Sequence, residues 1–182
     1  MNIEDIKTGD SFLTRSDTFI SKAICRVMTK WGKKKGYPTD LVYSHAARFI
    51  WIADELYLFG SVDNGYQPIL FKLHYDWDKD NFAIMRRKTI LTKNEEIQTT
   101  NYCIHLDTVS ISYQYWNFVQ WLIKVYLGIN LFRKDSDSYT YCYEGERKCR
   151  KNLNPENYGD TYITDIFQLL YDKNYKIIYK SK

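Results

Sequence analysis

The chain has 182 residues, 45% of them hydrophobic and 17% aromatic, which suits one domain with a substantial core and excludes an intrinsically disordered chain. Its 26 basic and 22 acidic residues leave a formal net charge of +4, too even a balance for a nucleic-acid binder. No basic segment followed by an apolar core opens the chain, so no secretory signal is expected. The most apolar run, Trp116 to Leu127, holds Gln120 and Lys124 and is too short for a membrane span, so no integral membrane segment is expected.

In chain order, Lys7-Thr8-Gly9-Asp10 reads as a turn feeding a strand, Ser11 to Arg15. Ser16 and Asp17 are N-cap candidates for a helix over Phe19 to Trp31, where Ile20, Ala23, Ile24, Val27 and Met28 recur at helical spacing, with Gly32 as its stop. Lys33-Lys34-Lys35 falls in the loop expected from Lys33 to Asp40 and reads as a solvated charge run. Val42 to Trp51 reads as a buried strand, Ala53-Asp54-Glu55 as a connection and Leu56 to Val62 as its partner. Asp63-Asn64-Gly65 is a turn signal before a third strand, Tyr66 to Leu73, and Phe82 to Arg87 reads as a fourth. A helix is expected from Ser112 or Gln114 to Leu127, closed by Gly128, with Trp116, Phe118, Trp121, Leu122 and Val125 as its core stripe. Glu144 to Lys151 reads as one or two polar helical turns, Thr164 to Leu170 as a short helix and Tyr175 to Tyr179 as a last strand. Short turns between neighbouring strands predict an antiparallel meander or small barrel, not βαβ units.

Four cysteines show no disulfide-like density and are expected as reduced thiols. No Cys-x-x-Cys pair exists, and His45, His74 and His105 have no metal-ligand spacing, so neither a metal nor a cofactor is expected. Cys25 and Cys103 sit among apolar neighbours and read as core; His74 and His105 read as surface residues. Two stretches are chemically suggestive: Ser44-His45-Ala46-Ala47 opens an apolar run, and Tyr141-Cys142-Tyr143-Glu144 opens a helix-like run. A fold bringing Cys142 to His45 would pair a thiol with a base.

The order of these pieces resembles the permuted papain-like branch of the NlpC superfamily, and within it the YiiX-type proteins. Gly9-Asp10-Ser11-Phe12-Leu13-Thr14-Arg15, Ser44-His45-Ala46-Ala47-Arg48-Phe49-Ile50, the Gly-containing turn within Leu58 to Gln67, and Cys142-Tyr143-Glu144 carry the resemblance, which spans roughly Ile6 to Leu170. It implies one α+β domain over residues 1–182, a small antiparallel sheet or barrel packed against helices, circularly permuted and papain-like. It also implies a cysteine hydrolase: Cys142 as nucleophile at a helix N-terminus, His45 as general base, then acyl-enzyme formation and hydrolysis. Where related proteins place a carboxylate to orient the imidazole, this chain has Ser61, with Asp63 and Glu55 as acids nearby; Tyr143 stands where a small residue is usual. The implied substrate is an amide in a peptide, above all a cell-wall (peptidoglycan) peptide, then a lipid acyl ester or amide. The alternative is an inactive descendant that binds or builds. A cytoplasmic origin fits a cell-wall substrate only with release by lysis, dedicated secretion or packaging in a virion. The oligomeric state is left open.

Overall fold

The computed structural model describes residues 2–62, 65–76, 80–109, 112–113, 120, 123, 126–127, 129, 139–140, 142–157 and 166–181. Strands β1 (Ser11–Arg15), β2 (His45–Ile52), β3 (Glu55–Val62), β4 (Gly65–Leu70), β5 (Asn81–Arg87) and β8 (Tyr175–Lys180) form one open sheet in the order β4-β3-β2-β1-β5-β8. Every pairing in it is antiparallel. β6 (Ser112–Tyr113) and β7 (Tyr139–Thr140) make a separate parallel pair. The α+β architecture inferred from the sequence is therefore the observed one, as an open sheet with helices packed on it.

Both faces of the sheet are buried, and alternation along the strands sorts their residues. Phe12 lies opposite Ala47 and Ile84, and Phe49 opposite Leu58. These residues share one core cluster with Ile6, Leu56, Phe71 and Phe82. Its rings meet mostly edge to face, as in Phe12 on Phe49 at 5.4 Å and Phe49 on Phe71 at 5.2 Å. Leu13, Ala46, Ala83 and Met85 point the other way and join the helices. These are α1 (Phe19–Lys35), α4 (Cys142–Leu153) and α5 (Ile166–Leu170), with α3 (Lys93–Val109) beside α4; one turn, α2 (Phe71–His74), carries Phe71 into the opposite cluster.

Several elements differ from the sequence reading. Helix α1 runs through Gly32, which lies inside it beneath Phe167, and stops at Gly36 (φ +76°), whose left-handed backbone a glycine adopts without a Cβ penalty. Its N-cap is Thr18, whose hydroxyl accepts from the Ser21 N–H at 3.3 Å. The three lysines belong to its last turn, where cations complement the carbonyl end of the helix. The β2–β3 hairpin is tighter than expected, turning on Ala53 and Asp54 with both φ positive. β4 ends at Leu70, and Ser112 lies in a strand rather than at a helix start. The aromatic stripe from Trp116 to Val125, and the turn residues Asp63 and Asn64, lie outside the described residues. Helix α3 had no counterpart in the sequence reading, because it turns only Thr99, Cys103 and Leu106 into the interior. Helix α4 is longer than one or two turns and is buried from Cys142 to Arg150 despite its five charged side chains in that stretch.

That burial is made possible by an ion cluster across the sheet–helix interface. Arg48, on the Ala46 side of β2, grips Glu146 with Nη2 to Oε1 at 2.5 Å and Nε to Oε2 at 3.1 Å. Its Nη1 donates to the Gly9 carbonyl at 2.9 Å. Arg150 donates to Glu146 at 2.9 Å and to the Leu169 carbonyl and Asp172 at 2.8 and 3.1 Å, and lies 3.8 Å over the Tyr175 ring. Ser11 donates to the same Glu146 oxygen. Burial opposes the charge on Arg48, but the Glu146 carboxylate together with Tyr175 and Cys149 offsets this and leaves the guanidinium pKa raised. Two arginines and one acid at zero exposure leave little tolerance for losing a partner. Glu146→Ala is expected to cost about 3–5 kcal/mol in a urea unfolding titration, because it strands two buried cations.

Candidate active site

Helix α4 places Cys142 at its first position, 5% exposed, beside the start of β2. The Cys142 thiol points to the Ser44 carbonyl at 3.8 Å. Its neighbour Tyr143, the bulky departure from the resemblance, is buried and donates from its hydroxyl to the Tyr43 carbonyl at 2.6 Å. These two contacts fasten the N-terminus of α4 to residues 43–44, next to His45 in the chain. The helix start would favour a thiolate, but a thiol directed at a carbonyl oxygen is used as an S–H donor.

His45 is on the other side of the sheet. It pairs with Thr14 in register, and Ala46 pairs with Leu13. Ala46 shares a cluster with Cys142, whereas Ala47 belongs to the Phe12 cluster. Alternation therefore puts the His45 side chain with Ala47. The close approach to β3 agrees: a Cβ on Gly60 would sit 2.9 Å from the Ala47 Cβ and 3.3 Å from His45 Nε2. A side chain at position 60 would press on Ala47 first and crowd the ring as well. The ring makes no hydrogen bond among the described residues, and burial lowers its pKa to about 4.

Ser61 does not orient the ring. It follows Gly60 and so points to the opposite side, where it is 1% exposed and its Oγ has no hydrogen-bond partner among the described residues. The acids considered in its place do not serve either. Glu55 pairs with Lys72 and lies at the far end of β3, opposite Ile52; Asp63 is outside the described residues. Position 44, not 45, faces the helices: the Ser44 hydroxyl is 2.6 Å from that of Ser21 on α1. Of the other cysteines, Cys25 and Cys103 are buried as expected, and Cys149 is buried too, at 1% exposure. His74 and His105 are exposed, as expected. No group of three His, Cys, Asp or Glu side chains able to hold a metal occurs among the described residues.

Sequence reasoning missed the Asp10 anchor. The carboxylate of the Gly-Asp turn is 2% exposed and takes two hydrogen bonds from Arg86, at 2.8 and 2.6 Å. It also accepts the Lys7 N–H at 2.9 Å, so this motif closes the turn before β1. The bidentate demand of an arginine in the middle of an apolar strand, as with Arg48, was the available signal for such partners.

No family model and no curated protein matches the sequence. Among solved structures, the chain is similar to the crystal structure of metalloprotein YiiX from Escherichia coli O157:H7, with a TM-score of 0.55 and 17% identity over 85% of this chain and 69% of that one. The fold is thus YiiX-like. Among the described residues no helix is long and apolar enough to cross a membrane.

Two measurements follow from these placements. Histidine has an ordinary pKa of 6.5 and about 4 here, so between those values the unfolded chain holds a proton that the folded chain does not. Stability is present above pH 6.5 and is lost as pH falls towards 4, by roughly 2–3 kcal/mol at 1.36 kcal/mol per unit. Urea midpoints across that range, compared with His45→Gln, should show this slope only in the parent chain. Ser61→Ala removes a buried hydroxyl without breaking a hydrogen bond, so its stability should stay within about 1 kcal/mol of the parent or exceed it.

Proposed function

We propose that this chain is a YiiX-like protein that binds rather than cleaves, with a cysteine-hydrolase constellation present in its sequence and separated by its sheet. The observation that carries this reading is the parity of β2: Cys142 packs with Ala46, and His45 lies with Ala47 over Gly60. Cysteine catalysis at neutral pH draws on a thiolate beside an imidazolium. An imidazole whose pKa has dropped to about 4 resists taking the thiol proton, and among the described residues no hydrogen-bonded neighbour selects its tautomer. The ligand class carried over from the resemblance is a peptide, with cell-wall peptides first and lipid amides second. The metal named for the YiiX neighbour finds no counterpart cluster among the described residues, so no metal chemistry is assigned here.

The second reading is the cysteine hydrolase of permuted papain-like, NlpC type. It is favoured by Cys142 heading a twelve-residue helix with its sulfur against the carbonyl of the residue before His45. In it, residues 44–45 at the mouth of β2 would turn the ring to the Cys142 side. The imidazole would take the thiol proton, sulfur would attack the amide carbonyl, the C–N bond would break as the imidazolium gives its proton to the leaving amine, and water would then hydrolyse the thioester to a carboxylic acid and the free thiol.

A chromogenic thiol-reactive ester and purified peptidoglycan peptides separate the two. Binding without hydrolysis predicts no acyl burst, release equal to that of Cys142→Ala, and iodoacetamide labelling of Cys142 no faster than that of a free cysteine. Turnover that falls by about 100-fold or more in both Cys142→Ser and His45→Gln would establish the hydrolase instead.

A further inference from the structure

Away from that site, α3 and α4 bring two thiols together in the interior. Cys103 Sγ and Cys149 Sγ are 3.7 Å apart, although 46 positions separate them in sequence. Both are reduced in this structure and almost fully buried. The Tyr66 hydroxyl, from β4, bridges them at 3.7 Å from Cys103 and 3.4 Å from Cys149. Three elements thus converge on two sulfurs and one phenol, and neither the fold comparison nor the candidate active site uses them.

We propose that Cys103 and Cys149 are an oxidative modification site, a dithiol that a small peroxide converts to a disulfide tying α3 to α4. Bond formation needs the sulfurs to close from 3.7 Å to about 2 Å, a shift of under 1 Å for each side chain. Their inequality sets the order of events. The hydrogen bond from Cys103 and the charge of Arg48 lower the Cys149 pKa against burial and the opposing Glu146 carboxylate. Burial raises that of Cys103. Cys149 is therefore the attacking sulfur. Its thiolate attacks one peroxide oxygen, the O–O bond breaks, and hydroxide leaves to become water on taking a proton. The Cys103 sulfur then attacks the sulfenic sulfur of Cys149, the S–O bond breaks, and the second hydroxide leaves as water with the Cys103 proton. Two thiols and one hydrogen peroxide thus give one disulfide and two waters. Tyr66, whose own pKa burial holds well above the usual phenol value, remains a neutral donor to the pair.

The test treats the whole chain with millimolar hydrogen peroxide, blocks remaining thiols in denaturant and maps peptides by mass spectrometry. The expected result is a loss of two hydrogens and a single cross-linked peptide joining Cys103 to Cys149, reversed by dithiothreitol, with Cys25 and Cys142 still alkylated. The oxidised chain should melt higher by roughly 10 °C, because a cross-link spanning 46 positions constrains the unfolded state. Cys149→Ser and Cys103→Ser should each abolish both the cross-link and the shift. Peptide mapping of the unsubstituted chain stands even if these variants fold poorly. Recovery of all four thiols after peroxide, over-oxidation of Cys149 without a link, or a cross-link involving Cys142 would each overturn the proposal.

Discussion

The Arg48–Glu146 pair is the constraint on which the arrangement of this protein turns. Neither charge can lie in the interior alone, so helix α4 must dock where Glu146 meets the guanidinium of β2. Arg150, one turn further on, repeats the demand from the same carboxylate, which fixes the helix along its axis and about it. Gly9 and Ser11 supply the remaining oxygens, so the start of the chain, the central strand and the buried helix are locked by one cluster. Such a cluster confers a defined register more than net stability, since well-packed apolar residues could fill the same space at less cost.

The same docking decides the chemistry at the helix start. Arg48 is an even-numbered residue of β2, so α4 settles on the side of Ser44, Ala46 and Ile50. Cys142 comes with it, and His45 is left on the far side with Ala47 and Phe49. A register shift of one residue in β2 would exchange the faces of His45 and Ala46. Likeness to YiiX at 17% identity reports the architecture alone. The parity of a single strand is a finer property.

This explains what could and could not be read from the chain. The strands β1, β2, β3 and β5 were legible as apolar runs bracketed by turn residues, and the short terminal strand likewise. The facing of His45 was not, because Ala46 and Ala47 are both small and both buried, so neither side of β2 announced itself as solvent or helix-facing. Helix α3 hid because a threonine, a cysteine and a leucine make a faint stripe. Helix α4 looked like a solvated turn because Glu146, Arg147, Lys148 and Arg150 are ordinarily surface residues. Lys148 and Arg150 do have acids four residues back, but Glu146 also meets Arg48 98 positions away and Arg150 meets Asp172 on another element, and local pattern cannot see those.

An open sheet has a further requirement that a closed barrel escapes. Its outer strands, β4 and β8, carry backbone groups on which a foreign strand could grow. β4 carries Pro68, opposite Phe59, a residue with no amide to give a ladder. β8 carries Lys176 and Lys180, both exposed, on either side of Ile177 and Ile178. An incoming strand would have to desolvate an ammonium to reach those isoleucines. Both margins of the sheet thus carry residues that disfavour an added strand, a proline on β4 and two lysines on β8.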